Sequence, residues 1–384
     1  MWLILLFWLS LLGVFYTYAG YPVLLRMLNT LRKPKAIGSS QDESGELPSV
    51  SIILVVWNAG DSLVRRLTNL SDCHYRGDRE IVVVCDGCDD NTVEIARGFE
   101  GAVPIRVVEQ EVRSGKASGL NQGVENAKGD ILVFADLRQR FDENAIQRLV
   151  LSLQGDSQVA AVSGNLEIER SEDGAGAGID AYWRLEKWIR QEEARRDSVI
   201  GCTGAIYALR RSAYTAIPED TLIDDVVIPM HALVKGGRIL FEPQAIAFDP
   251  QTLNPETEAR RKIRTLAGNY QMLFRYPSWL VPWGNRCWWN LISHKYLRLV
   301  GAVFLAVCFI SSFLLARESI FFQIALGMQV ACYSLALIGI VWKSCRFKLC
   351  TIPAGFVFLQ WQSIRAFAFY LKNCRTERSG VWES

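Results

Sequence analysis

The sequence predicts an α/β domain with a parallel sheet, inserted between membrane-spanning helices. Two observations carry this prediction. Four short apolar runs alternate with helix-like segments in the first half of the chain, and long uncharged runs lie at both ends. Strands and helices that alternate at such spacing are typical of a parallel sheet covered by helices on both faces.

The composition narrows the class of protein. Half of the 384 residues are hydrophobic and only 21% are charged, which excludes a disordered chain and indicates a membrane protein. The 42 basic residues are balanced by 40 acidic ones, for a net charge of +2. Without a basic field, nucleic acid is not expected as a partner.

The uncharged runs predict the membrane helices. Residues 1–25 carry no charge, and at ~1.5 Å per residue they are long enough to cross a ~30 Å hydrocarbon core. A secretory signal peptide is the alternative, but no basic region precedes the run and no small-residue cleavage pattern follows it, which favours a retained anchor. Residues 299–316 and 319–342 predict a transmembrane hairpin. Residues 349–364, which contain Pro353, either cross the membrane or lie in its interface.

Basic residues beside these runs predict the orientation. Lys and Arg near the ends of a span are retained in the cytoplasm, and they cluster after the first run, before the second and after the third. We therefore expect an integral protein of the cell or inner membrane whose middle segment faces the cytoplasm. The predicted parts are an N-terminal transmembrane helix (1–25), a linker (26–47), a cytoplasmic domain (48–285), an interfacial segment with the hairpin (286–342) and a fourth membrane or interfacial segment with the C-terminal tail (343–384).

The ten cysteines are scattered over these parts. Thiols in a cytoplasmic domain stay reduced, so no disulfide framework is expected. Cys85 and Cys88 form a C-x-x-C pair, but no second pair or His cluster stands at a zinc-like spacing. A metal or redox role for this pair is not predicted.

Four strands and three helices are predicted in the first part of the domain. The strands are 49–56, 80–85, 105–108 and 130–135, and the helices between them are 61–70, 91–99 and 115–127. Ligands bind at the carboxyl ends of the strands in such sheets. The residues that follow each strand are therefore the first candidates for function.

Carboxylates occupy these positions. Asp86 follows the second strand and Asp136 follows the fourth. A carboxylate at a strand end can accept a hydrogen bond from a base or ribose, or hold a divalent cation that bridges phosphates. Asp89 and Asp90, which come after Gly87, are equally well explained by turn and helix-cap chemistry.

The helix over 115–127 begins with Gly-Lys and contains glycines that are spaced as close-packing points. Lys116 lies at its start, although a lone Gly-Lys is a weak phosphate motif. The aromatic and charged helix over 179–196 is predicted either to be solvated or to lie flat on the bilayer.

Two further motifs come later in the chain. The small-residue turn 201–204 is suited to close approach of a ligand, and it is followed by Asp224 and Asp225, which open a helix and serve either as functional acids or as partners of the helix dipole. The basic stretch 260–271 precedes the hairpin and is suited to anionic lipid or to a diphosphate.

The order of these motifs resembles that of a membrane-embedded family 2 glycosyltransferase, the group that includes cellulose and hyaluronan synthases. The motifs are the opening strand, Asp-Gly-Cys-Asp-Asp-Asn-Thr, Gly-Lys-Ala-Ser-Gly-Leu-Asn, Phe-Ala-Asp, Gly-Cys-Thr-Gly, Ile-Asp-Asp and the Arg-rich stretch, and the resemblance covers roughly residues 15–372. It implies a Rossmann-like mixed sheet, the A-type nucleotide-sugar-binding fold.

The resemblance also implies roles for the acids. Asp86 would contact the base or ribose of a nucleotide-sugar donor, and Asp136 would be the first acid of an Asp-x-Asp motif that holds Mg²⁺ or Mn²⁺. Asp225, with Asp224 beside it, would be the general base that takes the proton of the acceptor hydroxyl.

On the phosphate side, Arg264 stands at the Arg of the family's Gln-x-x-Arg-Trp motif, with Lys116 and Arg261 as further candidates. Thr203 and Gly204 would lie on the acceptor side.

Two positions depart from the family pattern. Arg138 replaces the second acid of Asp-x-Asp; a cation cannot ligate a metal, so it would contact a donor phosphate instead. Thr265 replaces the Trp of the later motif, which removes the aromatic face on which an acceptor sugar would stack. This second departure argues against processive polysaccharide synthesis.

The function expected from the resemblance is inverting transfer of a sugar, from a UDP-sugar, to a lipid or lipid-linked glycan at the cytoplasmic face. Two alternatives stay open. One is a processive polysaccharide synthase that also exports its product. The other is a catalytically silent membrane scaffold, because a fold alone does not establish activity.

Overall fold

A computed structural model describes residues 1–31, 46–169, 177–250, 255–342 and 347–373. The strands are β1 (Val50–Val56), β2 (Arg79–Asp86), β3 (Ile105–Gln110), β4 (Ile131–Ala135), β5 (Arg140–Phe141), β6 (Val159–Glu169), β7 (Ile206–Arg210) and β8 (Arg238–Pro250). The helices among them are α3 (Asp61–Asp72), α4 (Thr92–Gly98), α5 (Lys116–Asn126), α6 (Ala145–Gln154), α7 (Ala177–Arg196) and α8 (Asp224–Val234). The helices at the two ends are α1 (Trp2–Phe15), α2 (Tyr21–Thr30), α9 (Pro255–Arg275), α10 (Trp288–Asn290), α11 (Leu297–Leu299), α12 (Gly301–Leu315), α13 (Ile320–Val341) and α14 (Lys348–Asn373).

The first four strands form a parallel half-sheet in the order β3-β2-β1-β4. Their residues are apolar and almost all buried in β1, β2 and β4, as expected of strands covered on both faces. The four predicted strands are confirmed. The structure extends the second strand to Asp86 and the third to Gln110, because these two residues continue the parallel pairing.

The second half of the sheet is mixed. Strand β7 pairs antiparallel with β4 and with β6, β6 pairs parallel with β8, and β5 closes the edge on β8. The eight-stranded order is β3-β2-β1-β4-β7-β6-β8-β5. The A-type mixed sheet is thus the fold of this chain, and the parallel arrangement predicted from strand and helix alternation holds for its first half.

Helix α5 packs closely on the sheet because two of its residues are glycines. A Cβ on Gly119 would lie 2.6 Å from Val55 of β1, and one on Gly123 would lie 2.7 Å from Ile53. Any larger side chain would push the helix away from the strands. This close packing fixes the position of Lys116 at the start of the helix.

Two helices of the described residues are long and apolar enough to cross a membrane, namely Trp2–Thr30 and Ile320–Val341. The first is continuous through a π-helical turn at Tyr16–Gly20. A third candidate combines Trp288–Leu299 with Gly301–Leu315, which meet at an angle of 59°. The first half of the predicted hairpin is therefore a candidate span only together with the segment that precedes it.

Helix α7 lies between α2 and the segment 288–299. The buried carboxylate of Glu192 accepts hydrogen bonds from Arg26 and Asn29 of α2. Neighbouring Glu193 accepts one from Tyr21, also of α2. This face of α7 is therefore enclosed by protein, and the solvated alternative is wrong for these acids.

Candidate active site

The candidate site lies at the carboxyl edge of the parallel half-sheet. Asp86 ends β2, and Asp136 directly follows β4. The side chain of Asp86 is buried and accepts the backbone N–H groups of Ser114 and Gly115 at 2.7 and 2.9 Å. Asp86 therefore holds the loop in front of α5, and its contact with a base or ribose stays a prediction.

The turn after Asp86 needs its glycine. Gly87 has a φ of +60°, and a Cβ at this position would lie 2.2 Å from the backbone nitrogen of Arg113. Asp90 accepts the N–H of Thr92, the first residue of α4, at 3.0 Å. This contact supports the helix-cap explanation of Asp90 that the sequence left open.

Lys116 links two of the predicted acids. Its Nζ lies 2.9 Å from Oδ1 of Asp136 and 3.2 Å from Oδ2 of Asp224. Burial by itself lowers the Lys116 pKa, but the charges of Asp136 and Asp224 raise it by more, so the ammonium form is favoured. The start of α5, the end of β4 and the start of α8 thus meet in a cluster of one cation and two anions.

Asp225 lies beside this cluster, half-buried at the start of α8. Its Oδ2 accepts the backbone N–H of Gly204 at 3.0 Å, and its Oδ1 makes no hydrogen bond with the described residues. Burial raises the pKa of Asp225 to about 6, and the negative charge of Asp224 adds to the effect. A carboxylate of this pKa is suited to take a proton near neutral pH.

The turn 201–204 holds Asp225 in place. Cys202 donates its N–H to the backbone carbonyl of Asp225 at 2.7 Å, and a Cβ on Gly204 would lie 3.1 Å from Oδ2 of Asp225. The sequence predicted a close approach to a ligand at this turn. The structure shows that its glycine also approaches the candidate base itself.

Arg190 of α7 is a site residue that sequence reasoning missed. Its guanidinium donates to Oγ1 of Thr203 and to Oγ of Ser163, both at 2.7 Å. It therefore fixes the acceptor-side hydroxyl predicted at Thr203. The signal in the sequence was weak, because Arg190 is one of several basic residues at helical spacing in α7.

Lys295 was not predicted as a site residue, because it is one of the basic residues before the second uncharged run, which served only to predict the orientation in the membrane. It lies in the π-helical segment Leu291–Tyr296, and its positive charge lowers the pKa of Asp225. Lys295 makes no hydrogen bond or ion pair with the described residues. Neighbouring His294 has its ring nitrogens 2.8 Å from Glu186 and Glu193, which clamps this segment on α7.

The structure does not bring Arg138 to the cluster. Its guanidinium pairs with Asp249 of β8, and Gln139 donates to the other oxygen of Asp249 at 3.2 Å. The loop that follows Asp136 is held against β8 by this pair and by the short strand β5. One end of the Arg138 guanidinium is therefore engaged with Asp249, and its predicted phosphate contact stays a prediction.

Arg261 and Arg264 lie on α9. Gly268 of the same helix packs on Ile223, since its Cβ would lie 2.5 Å from that side chain. Arg264 is four residues before Gly268 on this helix, and its side chain is exposed. The phosphate-side roles of Arg261 and Arg264 stay predictions.

The acids present do not fit a resident divalent cation. No group of three His, Cys, Asp or Glu side chains is arranged to hold a metal among the described residues. Oδ1 of Asp136 is bound by Lys116, and the position of the expected second acid is a cation, Arg138. We therefore assign no step of the chemistry to a metal.

The fold of the described residues is similar to that of A-type glycosyltransferases. A mannosyltransferase from Pyrobaculum calidifontis, solved with GDP-mannose and Mn²⁺, superposes with a TM-score of 0.74 at 18% identity and covers 97% of this chain and 100% of its own. The sequence profile of Glycosyl transferase family 2 matches residues 51–217. Over this part of its length, the chain is similar to family 2 glycosyltransferases.

The similar curated proteins are poly-β-1,6-N-acetyl-D-glucosamine synthases. One from Staphylococcus aureus is 25% identical over 237 residues, which are 60% of this chain and 57% of the relative. One from Staphylococcus epidermidis is 21% identical over 278 residues, which are 71% of this chain and 66% of the relative. The aligned part thus spans less than two thirds of either relative.

Proposed function

We propose that this protein transfers a sugar from a nucleotide-sugar donor to a hydroxyl of a growing glycan at a membrane face, with inversion at the anomeric carbon. The observation that carries the proposal is the placement of Asp225. It is oriented by Gly204, lies beside the Lys116 cluster and has its pKa raised to about 6. The similarity to family 2 glycosyltransferases and the A-type fold support the same class of reaction.

The chemistry follows from the charges around this carboxylate. Asp225 accepts the proton of the acceptor hydroxyl while the oxygen of that hydroxyl bonds to the anomeric carbon. The bond from that carbon to the diphosphate oxygen breaks, and its electron pair leaves with the nucleoside diphosphate. Lys116 and Arg264 neutralise the charge that develops on the leaving group.

The relatives favour a glycan acceptor over the lipid acceptor expected from the sequence. Those that the chain matches make a polymer of N-acetylglucosamine, which supports the synthase alternative. Thr265 argues against the synthase alternative, because it offers no aromatic face on which an acceptor sugar could stack. Its hydroxyl donates to the carbonyl of Arg261. We prefer polysaccharide elongation because the sequence relatives are polysaccharide synthases.

A second candidate, transfer to a lipid-linked acceptor, is supported by Lys295. This lysine belongs to the segment that leads into a candidate span, and its charge acts on Asp225. A lipid phosphate that enters from the membrane would meet an ammonium group that has no ion pair with the described residues.

Product length separates the two activities. The detergent-solubilised protein is incubated with UDP- and GDP-sugars and with either oligosaccharide or lipid-phosphate acceptors, and the products are analysed by mass spectrometry. Long chains that appear while most of the acceptor is still unextended support elongation. Single additions to the lipid support the second candidate. Donor binding without turnover on any acceptor would support the silent scaffold and overturn the proposal.

We also propose that the domain faces the cytoplasm, because basic residues flank the candidate spans on the domain side. Arg26 follows the hydrophobic part of the first span, while Arg286 and Arg298 precede the apolar part of the bent pair. Reporter fusions after the first candidate span test this orientation. A reporter active only outside the cell at this point would contradict it.

A further inference from the structure

The ammonium of Lys116 lies between two carboxylates, at the place where a bound cation would lie in an ion site. The ammonium contacts both Asp136 and Asp224, and the side chains of these acids are 35% and 11% exposed. Two partly buried carboxylates so close together repel each other unless a cation lies between them. Lys116 is that cation.

No group of three His, Cys, Asp or Glu side chains at this edge is arranged to hold a metal among the described residues. A divalent ion prefers several oxygen ligands, and a two-carboxylate motif would provide them on the loop after β4. In this chain the second motif position is Arg138, and its guanidinium is bound to Asp249, the acid at the end of β8. The nearby Asp249 carboxylate is therefore already neutralised.

A metal at Oδ1 of Asp136 would displace Lys116 from that oxygen. The ammonium would stay near the ion because α5 is fixed by the close packing of Gly119 and Gly123 on β1. Like charges at such distances disfavour each other. Binding of the metal there would therefore lose the contact between Lys116 and Asp136 and add a repulsion.

We infer that Lys116 is the resident cation of the donor site, and that the protein binds and releases its nucleotide diphosphate without a divalent metal. This inference rests on the proposed function, because it concerns the leaving group of that reaction. The ammonium takes up one charge of the diphosphate, and Arg264, an exposed cation of α9, supplies the second.

In this protein the positive charge at the donor diphosphate thus comes from side chains. The structure of the Pyrobaculum calidifontis mannosyltransferase, in contrast, contained Mn²⁺. A single lysine carries one charge where Mn²⁺ carries two. Arg264 of α9 supplies the second charge, while the ammonium keeps its contacts with Asp136 and Asp224.

The test measures nucleotide binding with and without metal. UDP and GDP are titrated by calorimetry into the full-length protein in detergent, in EDTA, in Mg²⁺ and in Mn²⁺, for the wild type and for Lys116→Met, Lys116→Arg and Lys128→Met. Lys128 is an exposed lysine just after α5, and so it controls for the loss of a charge on the surface.

We expect EDTA to change the wild-type Kd by less than about twofold. Lys116→Met weakens binding by about tenfold or more in EDTA, Lys116→Arg keeps most of it because the charge is retained, and Lys128→Met has no effect. Loss of binding in EDTA by tenfold or more in the wild type would overturn the inference, as would unchanged binding in Lys116→Met.

A second measurement does not need nucleotide at all. The electron paramagnetic resonance signal of free Mn²⁺ is followed as the wild-type protein is added, and we expect no uptake at Asp136. Stoichiometric uptake that disappears in Asp136→Asn would overturn the inference even if Lys116→Met did not fold. Absence of any UDP or GDP binding would instead contradict the proposed function, while Mn²⁺ uptake in this titration would still overturn the inference.

Discussion

The backbone N–H of Gly204 lies 3.0 Å from Oδ2 of Asp225, so a turn of small residues orients the candidate base. The other oxygen of the carboxylate is left for the acceptor. This relationship joins two motifs that are 21 residues apart in the sequence. The Gly-Cys-Thr-Gly turn and the Asp-Asp pair are thus joined by hydrogen bonds.

Asp225→Asn should abolish sugar transfer and leave donor binding within about twofold of the wild type. The amide oxygen still accepts the N–H of Gly204, so the fold is kept, but an amide cannot take up a proton at neutral pH. Transfer is measured by product formation and donor binding by calorimetry. Asp89→Asn, at an exposed acid of the same edge, is the control. Full activity of Asp225→Asn would exclude this residue as the base.

The pH profile should follow the ionisation of Asp225. Burial and Asp224 raise its pKa to about 6, so the carboxylate is ionised above this pH and protonated below it. Only the ionised form accepts a proton, so kcat/KM should be level above pH 6 and fall by about tenfold per pH unit below it. A profile that stays level down to pH 4.5 would contradict the assignment.

Gly204→Ala should lower kcat by about tenfold without unfolding the protein. The new Cβ would lie 3.1 Å from Oδ2 of Asp225, which forces the carboxylate to shift by a few tenths of an ångström. Gly98→Ala is the matched control, because a Cβ on Gly98 meets nothing within 4 Å. Equal activity of the two variants would show that the position of the carboxylate is not critical.

Arg190→Lys should raise the KM for the acceptor by about tenfold and leave the donor Kd unchanged. An ammonium cannot hold the hydroxyls of Thr203 and Ser163 in the way that the two ends of a guanidinium do. The control is Arg184→Lys, at an exposed position of the same helix. A change confined to the donor Kd would place Arg190 on the phosphate side instead.

The parallel half of the sheet could be predicted because its signals are local. Strands β1, β2 and β4 are continuous apolar runs, and the acids that follow them lie where parallel strands end. Asp86 and Asp136 could be selected for the same reason, whereas Asp225, which lies at the start of a helix, was selected through the family resemblance. The strands β6, β7 and β8 were not assigned from the sequence, since their pairing is between segments far apart in the chain.

The remaining site contacts depend on tertiary packing. Lys116 meets Asp224 across 108 residues, and Arg138 meets Asp249 across 111. No periodicity in a single sequence pairs such positions. The acids of α7 were misjudged for the same reason, because a charged helix face is usually solvated, whereas the partners of these acids lie in α2 and in segment 288–299.

Glu186→Gln should lower the free energy of unfolding by about 3–5 kcal/mol, because it removes the charged partner of the partly buried Arg298 and weakens the acceptor of the His294 ring. Glu186 accepts from His294 at 2.8 Å and from Arg298 at 2.7 Å. Burial raises its pKa, but His294 and Arg298 lower it by more, so the pKa of Glu186 lies well below its usual range. The folded state therefore gains stability from the ionised carboxylate above the unfolded pKa of about 4.3, and it loses this gain as the pH falls.

Urea unfolding in detergent at pH 7 and pH 4 measures both effects. The exposed Glu125→Gln should change neither value, and a Glu186→Gln protein as stable as the wild type at pH 7 would show that the clamp on α7 contributes little.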